Sequence, residues 1–258
     1  IGKIWFVIVR DGTGYVQCVV TKNDVSDKVF ELENLLTQES SLKIKGTVQA
    51  DTRSDSGVEI LVSDIDIVHI ADEYPISLKE HGVSFLMDNR HLWLRSKKQF
   101  AIMKIRQQLI RSIRNFFDDR DFVLLDSPIF TANAVEGTTT LFETDYFNRS
   151  AYLSQSGQLY QEAGAIAFGK TYCFGPVFRA EKSKTRKHLT EFWMVEPEMA
   201  YCDINQNMDI IEEFMSNVIK DALDNCADEL KILERDISKL ENISAPFPRI
   251  SYDEAVDI

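Results

Sequence analysis

The sequence predicts an α+β chain in which a small β-barrel precedes a larger domain of mixed helix and strand. Three observations carry that prediction. Short strand-like runs separated by Gly-rich turns fill roughly the first 70 residues. Long stretches of helical periodicity begin only after them, from Ser96 and again from Asn207. Residues 175–199 place two apolar-rich runs around a cationic loop, the pattern of an antiparallel hairpin.

With 258 residues, 44% of them hydrophobic and 27% charged, the chain has the composition of a soluble globular protein of one or two domains. Ile4 to Val9 and Tyr15 to Val20 read as strands joined by Asp11-Gly12-Thr13-Gly14. Leu42 to Gln49 and Val58 to Ile70 continue the pattern across the polar loop from Asp51 to Gly57. Residues 75–95, polar and carrying Pro75 and Gly82, read as a hinge. Ser96 is placed to cap a helix whose apolar face is Phe100, Ile102, Ile105, Leu109, Ile113 and Phe116, with Lys97, Lys98, Lys104, Arg106, Arg111 and Arg114 available for the other. Asp121 to Pro128 reads as a strand ending in a proline, which removes a backbone donor and places that strand at an edge or an end. The small and polar residues that open 131–147 suit a lid, and Tyr152 to Glu162 a strand entering a helix. From Asn207 to Leu240 the pattern is helical, with Ile211, Met215, Val218 and Cys226 assigned to the core. Ser251 caps a further helix, and Arg249 reads as structural. The chain opens on Ile1 inside a strand pattern and stops at Ile258 inside a helix start, so we expect both ends to be cut.

A formal net charge of −12 argues against a histone-like binder, although a local basic patch would still serve phosphates. Cys18, Cys173, Cys202 and Cys226 are far apart and form no Cys-x-x-Cys pair, which argues against a zinc site or a disulfide framework. No run approaches the ~18 apolar residues of a membrane span. Cytoplasm is the default compartment.

Within 175–199, side chains alternate faces. Arg179 and Glu181 are expected on one face of the first strand, and Phe192, Met194, Glu196 and Glu198 on one face of the second. Lys182, Lys184, Arg186, Lys187 and His188 concentrate positive charge in the loop, which points to a phosphate-rich ligand. For a lone Arg-x-Glu, an ion pair on a solvated hairpin with Phe192 as core is the plainer alternative. The whole stretch, Phe178-Arg179-Ala180-Glu181 followed by His188-Leu189-Thr190-Glu191-Phe192, resembles motif 2 of class II aminoacyl-tRNA synthetases, in the subclass that charges aspartate, asparagine and lysine. The resemblance implies that Arg179 grips the ATP α-phosphate, Glu181 accepts from the adenine amino group, Phe192 stacks on adenine and His188 lies near the triphosphate.

The same resemblance implies an anticodon-binding OB-fold over residues 1–74, a hinge over 75–95 and a catalytic domain over 96–258 built on an antiparallel sheet flanked by helices. Phe6 then matches the aromatic that stacks on the central anticodon base and Gln17 the amide that hydrogen-bonds it. Taken alone, a Phe in a barrel strand is usually core and a Gln usually surface. Pro128 matches the proline of motif 1, at the homodimer interface. Residues 131–147 resemble the loop that closes over the amino acid, with Glu136 meeting its ammonium group, and Gln158 falls in the amino-acid pocket. Lys182, Lys184, Arg186 and Lys187 would meet the acceptor end of the tRNA. Motif 3 and most ligands of Mg2+ would lie beyond Ile258, leaving no metal site in this stretch, and residues 1–258 alone are expected to be inactive.

The substrate follows from two differences. In the aspartate enzymes of this family a lysine stands where this chain has Gln161, and an Asp is usual where it has Glu196; Gly157 stands in place of a proline. A pocket for aspartate needs surplus positive charge, because burying an unpaired carboxylate is costly. Replacing lysine by Gln161 removes a cation, and Glu196 would accept from an amide while repelling a carboxylate. The implied activity is therefore ATP-dependent activation of asparagine and its transfer to tRNA(Asn). An aspartate-charging enzyme, an asparagine synthetase of related descent and a non-catalytic RNA-binding module remain the alternatives.

Overall fold

The structure, a computed structural model, describes residues 2–54, 56–133, 141–182, 185 and 188–257. It divides into two compact units that meet in sequence between Trp93 and Leu94.

In the first unit, β1 (Ile4–Arg10) and β2 (Tyr15–Thr21) pair antiparallel. Asp11 closes their turn, its Oδ1 accepting from the Thr13 amide at 2.7 Å while its own N–H donates to Gly14 O. Helix α1 (Asp27–Phe30), capped by Ser26, leads to β3 (Ser41–Ala50) and β4 (Val58–His69). The four strands form one sheet in the order β1-β2-β4-β3, with β2 and β4 parallel. Alternation sends Trp5, Cys18, Val20, Val62 and Ile65 to one face, where Val29 and Leu32 complete a core. The β3–β4 register shifts between Lys45 and Gly46. A Cβ at Gly46 would stand 2.3 Å from Leu61 O, so the shift brings the backbones closer than any side chain allows. Residues 75–95, read as an irregular hinge, hold two short helices, α2 (Val83–Asp88) and α3 (Arg90–Trp93), which belong to the first unit. The Asn89 amide between them donates to Phe85 O at 2.9 Å.

The second unit opens with α4 (Lys97–Asp118), capped as expected by Ser96, whose hydroxyl accepts from Gln99 N–H. Strand β5 covers only Val123–Leu124, parallel to a later strand; Pro128 lies past its end rather than closing it. Strands β6 (Phe130–Thr131), β7 (Glu143–Tyr146) and β8 (Arg149–Leu153) form a small sheet in the order β6-β8-β7. The end of the expected lid is therefore strand. Helix α5 (Gln158–Phe168) precedes β9 (Lys170–Phe178) and β10 (Glu191–Met199), which make a three-stranded sheet with β5 at its edge. Helices α6 (Ile204–Asn225), α7 (Ala227–Ile232), α8 (Ser238–Glu241) and α9 (Tyr252–Val256) follow, the last capped by Ser251. Arg249 pairs with Asp209, as a structural residue would.

The core of this unit is aromatic: Phe116, Phe117, Phe122, Tyr172 and Phe174, joined by Ile210 and Phe214 of α6. Phe117 stacks on Tyr172 with ring centroids 4.8 Å apart, and the Tyr172 hydroxyl donates to Asp118. This core corrects two assignments. Ile211 and Met215 are 50% and 41% exposed, because α6 turns Ile210 and Phe214 toward the rings of Phe116 and Phe117 instead. On α4, Ile102 also departs from the expected apolar face: it is exposed, while its neighbour Ala101 is fully buried. Among the described residues, no helix is long and apolar enough to cross a membrane.

Phe117 is 1% exposed and touches four other rings directly, those of Phe116, Phe122, Tyr172 and Phe214. We expect Phe117→Ala to destabilise the second unit by about 3–5 kcal/mol, read as faster hydrogen exchange at the β9 amides under mild urea.

Candidate functional site

The site is built on β9 and β10, whose register runs from Glu191 opposite Phe178 to Met199 opposite Lys170, with Glu196 facing Cys173. Val195 and Met199 pack on the aromatic core, while Phe192, Met194, Glu196 and Glu198 share the other face, each half-buried. Arg179 follows the last residue of β9. Its N–H donates to Thr190 O at 2.9 Å, extending the ladder, and its guanidinium carbon lies 5.5 Å from the centre of the Phe192 ring. An aromatic plate beside a cation suits a ligand that combines a flat base with phosphate.

Glu181 departs from expectation: β9 ends at Phe178, so Glu181 sits in the exposed loop rather than beside Arg179 on a strand. His188 is exposed, its Nδ1 in a hydrogen bond with the Thr185 hydroxyl, and Lys182 is exposed. Lys184, Arg186, Lys187 and Glu136 lie outside the described residues.

Glu196 is held by three groups. The Ser156 hydroxyl donates to Oε2, the Gly157 N–H lies 2.9 Å from Oε1 and 3.1 Å from Oε2, and the Cys173 thiol donates to Oε1 at 3.6 Å. Gly157 immediately precedes α5, where unpaired amides and the helix dipole favour an anion. Glu196 lines a cavity of about 250 Å³ together with Arg114, Asp126, Ser127, Pro128 and Cys173. Burial, with Glu162 and Glu196 adding like charge, pushes the Glu198 carboxyl above the usual range.

Gln161 is not on the cavity lining. It is fully buried, and its Nε2 donates to Leu125 O at 2.6 Å and to Ser127 Oγ at 3.3 Å, while its Oε1 has no hydrogen-bond partner among the described residues. Its amide thus ties α5 to the segment after β5, and the neutral wall expected at this position stands behind the cavity rather than in it. Gln158 Nε2 donates to Glu162 Oε1 at 2.9 Å, an exposed pair in the first turns of α5. Sequence reasoning missed Ser156, Ser127 and Cys173 as members of the site. The one available signal was a Ser-Gly pair directly before a helix.

In the first unit, Phe6 points away from the core and is 61% exposed, beside Ile8 at 65%. The register aligns Phe6 with Val19 and Leu61 across three strands, and Ile8 with Gln17 and Glu59. The outer face therefore offers an aromatic plate with an amide one position along, so the usual reading of a strand Phe as core does not apply here.

Comparison with known families finds that residues 82–258 match the family described as tRNA synthetases class II (D, K and N), and residues 1–68 match the OB-fold nucleic acid binding domain. An asparagine–tRNA ligase of Herpetosiphon aurantiacus is 57% identical over 257 residues, covering 99% of this chain and 58% of that protein. A crystal structure of asparaginyl-tRNA synthetase from Pyrococcus horikoshii complexed with asparaginyl-adenylate superimposes with a TM-score of 0.91 at 41% identity, covering all of this chain and 60% of the other. The Entamoeba histolytica asparaginyl-tRNA synthetase, also in complex with asparaginyl-adenylate, gives 0.84 at 27% identity, covering 100% of this chain and 59% of that one. The chain thus spans a little under two thirds of the length of these relatives.

Burial, reinforced by the charge of Glu196, pushes the Cys173 thiol up to about 12, and burial pushes Cys18 up to about 11. A raised thiol pKa leaves less thiolate near neutrality, and thiolate is the reactive form. A short iodoacetamide pulse at about pH 8 is expected to label half-exposed Cys202 first, and Cys18, Cys173 and Cys226 only after denaturation, as read by peptide mass spectrometry.

Proposed function

The chain belongs to the class II tRNA synthetases of the D, K and N group, and on that premise we propose that the whole protein is an asparagine–tRNA ligase, activating asparagine with ATP and transferring it to the 3′ end of tRNA(Asn). The observation that carries the reading is the anchored Glu196 carboxylate on the cavity wall. An ionised carboxylate only accepts hydrogen bonds, so it welcomes the amide NH2 of asparagine and repels the carboxylate of aspartate. Likeness to two structures whose names include asparaginyl-adenylate supports it.

In the first step, an asparagine carboxylate oxygen attacks the α-phosphorus of ATP. A bond forms from that oxygen to phosphorus, the bond to the bridging oxygen breaks, and pyrophosphate leaves with the electron pair. No protein nucleophile is needed; the task is positioning and stabilising charge on phosphate oxygens. We assign Arg179 to the α-phosphate, Phe192 to stacking on adenine, Glu181 to the adenine amino group and His188 to the triphosphate. Glu136 and Gln158 are assigned to the amino acid, with Gln161, buried behind the cavity, placing a neutral amide where a lysine would add a cation. In the second step the terminal ribose 3′-hydroxyl attacks the adenylate carbonyl, and AMP leaves. Magnesium is the natural counter-ion of ATP, but no group of three or more His, Cys, Asp or Glu able to hold a metal occurs among the described residues, so no step is assigned to it.

The tRNA would be read at both ends. Residues 1–74 bind the anticodon through Phe6 and Gln17, while Lys182, Lys184, Arg186 and Lys187 approach the acceptor end. Residues 75–95 join this part to the catalytic part, 96–258. A homodimer through the Pro128 segment and a cytoplasmic location complete the proposal. A second reading, aspartate activation, draws on Arg114, which lines the same cavity as Glu196 and would meet a substrate carboxylate.

The two readings separate in amino-acid-dependent ATP–pyrophosphate exchange by the complete protein. We expect exchange with asparagine and little with matched aspartate; the reverse would establish the second reading, and none with either would point to an RNA-binding module. Arg179→Ala should lower kcat for exchange by about 10²–10³-fold, the scale of losing one donor to developing charge. Phe6→Ala removes a stacking plate worth ~1–3 kcal/mol, so its KM for tRNA should rise at least about fivefold in aminoacylation while its KM for ATP serves as the internal reference.

A further inference from the structure

Glu196 rides on a strand through three rotatable bonds, yet a group that selects between two substrates must be held to within roughly 0.5 Å. The holding groups come from one short turn. The Ser156 Oγ accepts from Gln158 N–H at 3.1 Å, which occupies a lone pair and leaves its single hydrogen directed at Glu196 Oε2. The Gly157 N–H reaches both carboxylate oxygens. That approach requires a bare backbone: a Cβ on Gly157 would stand 2.5 Å from Cys173 Sγ and 2.6 Å from Ser127 Oγ. The φ of −84° at Gly157 suits any residue, so it is space rather than conformation that demands glycine.

We propose that Ser156 and Gly157 are positioning residues for amino-acid selection, fixing the Glu196 carboxylate so that one acceptor position is left for a substrate N–H. A carboxylate offers about four acceptor positions, and donors from Ser156, Gly157 and Cys173 already approach it. What remains favours a ligand that brings a donor, such as a primary amide, over one that brings only acceptors. This inference rests on the reading of Glu196 as the asparagine selector.

The test is steady-state ATP–pyrophosphate exchange by the complete protein carrying Ser156→Ala, Ser156→Thr, Gly157→Ala or Glu196→Gln. Losing one hydrogen bond to a charged group is expected to raise the KM for asparagine about tenfold in Ser156→Ala, with kcat and the KM for ATP changed less than about twofold. Ser156→Thr, which keeps the hydroxyl, should recover most of the loss, and Gly157→Ala should behave like Ser156→Ala. An unchanged KM for asparagine in Ser156→Ala, beside an impaired Glu196→Gln, overturns the positioning role and leaves the Glu196 reading standing. An unchanged KM in Glu196→Gln overturns both. A parallel rise of the asparagine and ATP constants in Ser156→Ala, unrescued by threonine, means a general distortion and also overturns the proposal.

Discussion

The pairing of β9 with β10 is the constraint on which the second unit depends. Its register sets Val195 and Met199 against the aromatic core and leaves Glu196 and Glu198 on the opposite face. A slip of one residue would exchange the two sets, turning carboxylates into a cluster that holds Phe117 and Tyr172 and exposing the aliphatic residues. The hydrophobic side of the hairpin thus dictates where its polar side points. The stack of Phe117 on Tyr172 anchors β9 to α4, and a hydrogen bond from Leu125 N–H to Tyr172 O carries the segment after β5 along the same strand.

A compact polar node follows from that placement. Gln161 ties α5 to Leu125 and Ser127, the Ser127 hydroxyl donates to Gly157 O, and Gly157 donates to Glu196. The close approach is possible because glycine stands both just before α5, at Gly157, and within it, at Gly164, where a Cβ would stand 2.6 Å from Leu125 Cδ2. Pro128 and Glu196 line one cavity for this reason, although they lie far apart in the chain. The arrangement links the segment carrying Pro128 to the carboxylate on the cavity wall through hydrogen bonds that each pair a side chain with a backbone group.

The first unit solves a different problem with the same alternation. Trp5 and Val20 supply the inner face, so Phe6 and Val19, their neighbours in sequence, must lie outside. An exposed aromatic residue on such a sheet has little packing reason to be there, and its alignment with Val19 and Leu61 makes a flat apolar strip on a chain whose net charge is −12.

Much of this protein is legible in the residues alone. The strand alternation, the Asp-Gly turn, the Ser96 and Ser251 caps and the hairpin around the cationic loop are local signals, set by the few residues that make them. The pairing of Arg179 with Phe192 was likewise visible, since strand periodicity and a short motif contain it. What the tertiary structure decided was everything that depends on elements distant in sequence. Periodicity named a face for α6 but erred by one residue, because the rings of Phe116 and Phe117 chose which turn would be buried. Gln161 looked like a pocket residue until packing turned its amide toward Leu125, and Ser156 and Gly157 carried no mark as partners of Glu196. A hydrogen bond between residues 40 apart needs both the strand register and the helix position, and neither is written in the neighbourhood of either residue.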